Sequence, residues 1–171
     1  DMSALFETML EHVPVHEGDP AAPLQLQISA LDYSTFVGRI GVGRINAGTL
    51  RAGMDVLVME GSDGNSFKGR INQVHKFEGL DRIQTETAGP GDIVLINGIA
   101  DLGIGVTVTD PNEPHPLPML KIDEPTLTMN FCVNTSPLAG REGKFVTSRQ
   151  IWDRLQKELQ SNVALRVRET D

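Results

Sequence analysis

The chain is poor in several residue types, and each shortage narrows what it can be. Its 171 residues include one cysteine, one tryptophan and one tyrosine. A single thiol, Cys132, cannot form an internal disulfide, so a reducing, cytoplasmic setting is expected. Its strand-like neighbours Phe131 and Val133 suggest a plain packing role. No run of 18 apolar residues exists, so no transmembrane helix and no membrane partner are expected. The opening DMSALFETML has acidic residues and no basic stretch, unlike a signal peptide. It also lacks an initiator methionine, and the chain stops at RVRETD just after a strand-like run. Both ends suggest a piece of a longer protein.

Catalytic patterns are missing as well. Gly143-Lys144 invites a phosphate-loop reading, but Leu138 stands where that motif needs glycine and Phe145 where it needs Ser or Thr. The glycines of GRIGVG (38–43) have no helix after them, so they are barrel corners and not a dinucleotide fingerprint. His12 and His16 have the spacing of two helical metal ligands, but Pro14 lies between them and no third ligand is near. They are read as a surface pair, with no metal site. His75 and His115 are solitary, and no Ser/His/Asp set has suggestive context. No catalytic residue, cofactor site or enzymatic activity is expected of these residues themselves.

What is present is glycine (17), proline (10) and a 39% hydrophobic fraction able to build a core. The net charge of −8 is uneven: residues 1–120 carry −9 and residues 121–171 carry +1. The acidic part argues against nonspecific nucleic-acid coating there, while basic residues gather at 141–168.

The pattern along the chain is that of many short strands. Residues 3–13 place Leu5, Phe6, Met9, Leu10 and Val13 at helical spacing, with Ser3 as a cap and Pro14 as the stop. Such a short helix needs a surface to lie against. The three prolines in 14–23 mark a linker. Leu24, Leu26 and Ile28 alternate with Gln25 and Gln27, a half-buried strand. Strands follow at 37–45, 56–59, 66–77, 93–96 and 104–109, with 78–92 as a loop. Phe67, Ile71 and Val74 should face inward. Six or seven short strands at about ten-residue spacing suggest a small closed β-barrel.

Four prolines in 110–120 make a stiff extended connector and a domain boundary. Beyond it, 125–133 alternates as a strand. Thr147-Ser148-Arg149-Gln150 fits a capping box, and Asp153–Lys157 a favourable i,i+4 pair. Residues 163–167 alternate again. This β-loop-α-β order is half of a ferredoxin-like sandwich. The expected fold is therefore mainly β: a closed barrel over 18–118, preceded by a helix and linker (1–17) and followed by a partial α+β unit (119–171). An uncovered apolar face on that half unit predicts self-association, or disorder beyond about residue 120.

FVGRIGVGRINAGTLRAGMDVLVM (36–59) and AGPGDIVLINGIADLGIGVTVTD (88–110) resemble the second domain of translational GTPases, the barrel shared by elongation factors Tu and G. DEPTLTMNFCVNTSPLAGREGKFVTSRQIWDRLQKELQSNVALRVRETD (123–171) is similar to the TypA/BipA family at the start of its third domain. The resemblance implies a non-catalytic piece of a ribosome-associated GTPase linked to large-subunit assembly, translation regulation and cold or stress responses. It implies a neighbouring GTPase domain, absent here, that would hold GTP and Mg2+. Phosphate contacts to ribosomal RNA would fall to exposed cations. The candidates are Arg141, Lys144 and Arg149, then Arg39, Arg44 and Arg51. Two other readings stay open: the barrel of another translation factor that handles tRNA, and a small-molecule-binding barrel enzyme.

Overall fold

A computed structural model describes residues 2–62, 64–120, 125–141, 143, 145–162 and 164–169. Eight strands form one antiparallel sheet. They are β1 (Gln25–Ser34), β2 (Gly38–Ala47), β4 (Asp55–Met59), β5 (Ser66–Arg70), β6 (Gln73–Glu78), β7 (Asp81–Thr85), β9 (Ile93–Asn97) and β10 (Thr107–Thr109). Their order is β5-β4-β10-β1-β2-β9-β6-β7. A separate pair joins β3 (Leu50–Arg51) to β8 (Thr87–Ala88).

The hydrogen-bonded ladder does not close, which corrects the expectation of a closed barrel: β5 and β7 end the sheet unpaired to each other. The sheet is nonetheless strongly curled, and the chain itself requires it. β5 and β6 stand first and seventh in the order, about 29 Å apart if the sheet were flat. Yet only Ile71 and Asn72 join them, a reach of about 11 Å at most. At this seam the Ile71 N–H donates to Met54 O (3.0 Å), Gly53 N–H to Ile71 O (2.7 Å) and Asn72 N–H to Asn97 O (2.9 Å). The expected single strand over 66–77 is thus two strands broken at a corner.

The core fills the inside of the curl. Leu24, Leu26 and Ile28 face it as their alternation predicts, with Ile45, Val56, Val58, Val94, Ile96 and Val108 from the neighbouring strands. Ile71 and Val74 are fully buried there, and Phe67 packs at its margin. Each fully buried aliphatic side chain contributes about 1.5–3 kcal/mol. The stretch 78–92 is not a loop: it holds β7 and β8. β7 is mostly exposed and polar, so it has no apolar alternation to reveal it; its ladder with β6 holds it in place.

Proline segment 110–120, expected as a stiff extended connector, lies against the sheet. Gln25 pairs with Thr109 and Gln27 with Thr107 across the β1–β10 ladder. The two glutamines donate to His115 O (3.0 Å) and Pro118 O (2.9 Å). The Thr109 and Thr107 hydroxyls accept the His115 and Leu117 N–H groups (3.1 and 2.9 Å). Four alternating polar side chains therefore strap this segment onto the sheet.

Helix α1 (Ser3–His12) ends before Pro14 as expected, but Met2 holds the cap position without a side-chain bond and Ser3 lies inside the helix. None of its residues is buried, so the surface its apolar face needs is not supplied by the described residues. Helix α2 (Ser148–Glu158) carries the full capping box: Gln150 N–H donates to the Thr147 hydroxyl and Gln150 Oε1 accepts the Thr147 N–H. Its i,i+4 ion pair is Arg154–Glu158 rather than the expected Asp153–Lys157. The expected strands at 125–133 and 163–167 are not formed among the described residues 125–133 and 164–167; residue 163 lies outside them. Alternation alone does not make a strand without a hydrogen-bonded neighbour. Cys132, on that unpaired stretch, is exposed, which corrects its expected packing role.

Candidate contact surface

The structure disperses the candidate cations rather than clustering them. Arg39 and Arg44 both lie on β2, but an odd number of residues separates their faces. Arg39 shares the inward register with Gly41, Gly43 and Ile45, and its Nη1 donates to Leu102 O at 3.0 Å, partly buried. It ties a loop across the end of the core, so it is not the exposed cation expected. Arg44 points outward and is exposed. Arg51 is exposed on β3, beside a depression lined by Pro20–Leu24, Ala52–Met54, Asp110 and Glu113. Arg141 is exposed in the loop before α2 and lines a concavity with Cys132, Leu138, Phe145 and Ile151. Arg149 is exposed in the first turn of α2. Lys144 lies outside the described residues.

Other cations are already engaged. Lys76 Nζ lies 2.5 Å from Asp92 Oδ2, and Arg82 Nη1 lies 2.9 Å from Asp32 Oδ2. Burial pushes the Asp92 carboxyl up, but Lys76 and the Gly89 N–H outweigh it and hold it below the ordinary range. Asp32 is lowered chiefly by the Tyr33 N–H, against burial, with Arg82 adding to the effect. A carboxylate depressed in the folded state stabilises the fold above its unfolded value of about 3.9 and loses that contribution as pH falls through the folded value. Asp92→Asn should therefore lower stability at neutral pH and flatten the loss of stability on acidification below about pH 4. Urea midpoints measured from pH 7 to pH 3 check this; an unchanged acid limb would count against it.

The Asp32–Arg82 pair joins β1 to β7 across three intervening strands. Leu95 lies between Val42 and His75 in the ladder, on the face that carries Asp32 and Arg82 and away from the main core. It is nonetheless 2% exposed. The register shift at Ile28/Ala30 bends β1 there. The far halves of the β1–β2 and β6–β7 hairpins thus lean together over Leu95. Periodicity could not show this, because it rests on which strands become neighbours.

The histidine pair is also rearranged. His12 is exposed, with Nδ1 3.1 Å from Thr8 O. His16 is half-buried, and its Nε2–H donates to Asn46 O at 3.1 Å. It fastens the linker to the barrel and is no longer a surface partner of His12. Among the described residues no group of three His, Cys, Asp or Glu side chains could hold a metal, and no helix is long and apolar enough to cross a membrane.

Residues 25–110, the whole curled sheet, match the family model Elongation factor G domain 2. That defines the class: a second domain of the translation-factor type. Over 167 residues, 98% of the chain, it is 56% identical to the Large ribosomal subunit assembly factor BipA of Synechocystis. It is 48% identical to the protein of that name from Salmonella typhimurium over 100% of the chain, and 47% identical to that of Bacillus subtilis over 99%. The chain belongs to the TypA/BipA family of the elongation factor G domain 2 class. It spans 28% of the length of each of these relatives.

Proposed function

We propose that the chain is the non-catalytic second-domain and early third-domain segment of a ribosome-binding GTPase that acts in large-subunit assembly. The observation that carries this reading is the match of 98% or more of the chain, at 47–56% identity, to proteins named for that assembly role. In this reading GTP and Mg2+ bind a neighbouring GTPase domain, and cytoplasmic ribosomes are the partner. The curled sheet is a stiff platform. His16, Asp19 and Pro20 are bonded to the turn at Asn46, Gly48 and Thr49, so the entering linker is fixed to it. The proline strap fixes the departing chain. A displacement at one end is then passed to the other rather than absorbed. The stretches 125–133 and 163–167 would become paired strands of a ferredoxin-like third domain once the rest of that domain supplies their neighbours. Roles in stress and cold response belong to the same reading.

Arg141 and Arg149, both exposed, are the cations we assign first to RNA phosphate. The chain should co-sediment with purified ribosomal subunits at low salt and lose them as salt rises. Arg141→Glu with Arg149→Glu should weaken this about tenfold or more and flatten the salt dependence by roughly two phosphate contacts. Undiminished binding by the double variant would remove these residues from the contact surface. Failure of the unaltered chain to sediment with subunits at any salt would refute the ribosome reading.

A further inference from the structure

Residues 114–118 read Pro-His-Pro-Leu-Pro, and their period of two matches the sheet beneath them. The three prolines have no N–H to satisfy. The two N–H groups between them, on His115 and Leu117, donate to the Thr109 and Thr107 hydroxyls. Gln25 and Gln27 donate back to His115 O and Pro118 O. Val108 faces the core, so Thr107 and Thr109 lie on the other face, where they are fully buried beneath the strap. Among the described residues no backbone-to-backbone hydrogen bond holds 111–120 to the sheet, and no residue of 110–120 is itself buried. The strap can therefore lift without breaking a ladder bond or opening the core.

Docking also reverses the chain. β10 runs from Thr107 to Thr109, and the strap runs back past both until Leu120 rests against Gly105. A Cβ on Gly105 would lie 2.9 Å from Leu120 N, and the Gly105 N–H donates to Ile28 O at 2.7 Å. The linker enters at the other end of this stretch, at Asn46, Gly48 and Thr49, where Gln25 pairs with both Ala47 and Thr109. With the strap docked, entry and exit lie at opposite ends of Gln25–Ile28. With it lifted, the chain leaves from Asp110, next to the entry. The exit moves by about 13 Å, the length of four strand residues. Among the described residues α2 makes no extensive contact with any strand, so the connector is what places the unit after it.

We propose that the strap is a clasp that opens as one unit and sets where the chain leaves the sheet. Docked, it holds the following unit at the Gly105 end; lifted, it frees that unit to swing about Asp110. The prolines keep the lifted strap extended, so redocking costs little chain entropy and both positions stay accessible. The device belongs to this chain alone, whatever its partner.

Two measurements on the full chain test it. In native-state hydrogen exchange the His115 and Leu117 amides should share one protection factor, at least a hundredfold below that of the Ile28 amide and insensitive to low urea. Unequal factors for the two, or exchange of all three amides in one urea-dependent event, overturns the clasp. Spin labels at Lys68→Cys and Thr126→Cys, with Cys132→Ser, should report one narrow distance distribution. Thr126 lies six residues beyond Leu120 but sixteen beyond Asp110. Thr107→Val with Thr109→Val should therefore widen the distribution at least about 1.5-fold while Ile28 keeps its protection. Gln25→Ala with Gln27→Ala removes the opposing donors and should widen it likewise. A distribution that stays narrow in both variants, or is already broad in the unaltered chain, overturns the proposal.

Discussion

Replacing Gly98 with alanine should be among the most damaging small changes at the sheet, costing about 2–6 kcal/mol. Gly98 has φ +106°, a conformation L side chains rarely adopt, and such strain costs about 1–3 kcal/mol. A Cβ there would also lie 2.6 Å from Arg70 O and 2.8 Å from Asn72 N. Those atoms are backbone at the seam between β5 and β6, which cannot rotate away as a side chain could. Relieving the overlap means opening the corner that lets the first and seventh strands be consecutive in the chain, a further cost of about 1–3 kcal/mol. Gly79→Ala is the control. Its φ is +63° but nothing lies within 4 Å, so only the backbone term of about 1–2 kcal/mol applies. Urea unfolding of the two variants checks this. Equal losses would show that the seam is not tight.

The second large effect is expected at the strap. Thr107 and Thr109 are fully buried, and their hydroxyls accept the N–H groups of Leu117 and His115. Valine keeps the shape and removes the acceptor. Each substitution should cost about 1–3 kcal/mol, because a partly buried N–H loses its partner or the segment must leave the sheet to find water. The double variant should free residues 115–118 before the sheet unfolds. Hydrogen exchange would show it: the His115 and Leu117 amides lose protection while those of β1 keep theirs. Retained protection at both amides would mean that the strap is held by something else, such as the Gln25 and Gln27 bonds alone.

Local chemistry was well written in the sequence. The alternation Leu24-Leu26-Ile28, the inward placement of Ile71 and Val74, the stop at Pro14 and the capping box at Thr147 all depend on neighbours a few residues away, and all are present. β7 was hidden because an exposed polar strand has no hydrophobic period. The break in 66–77 was hidden because Ile71 continues an apolar pattern across a corner. For the candidate contact residues, residue type and expected exposure could be read, and Arg44, Arg51, Arg141 and Arg149 are exposed. Arg39 could not be placed, since its partner Leu102 O is 63 residues away. Cys132 and its alternating neighbours show the reverse limit: a pattern that fits a strand stays unpaired where the described residues place no strand beside it.

The sequence alone determined the many-stranded class, the aliphatic core, the second helix and the family, because these rest on period, turn chemistry and motif. Tertiary structure decided that the ladder curls without closing, that the proline segment is strapped to the sheet, and that two hairpin ends meet at Asp32 and Arg82. Each of these depends on contacts between residues distant in sequence, with no local period to announce them.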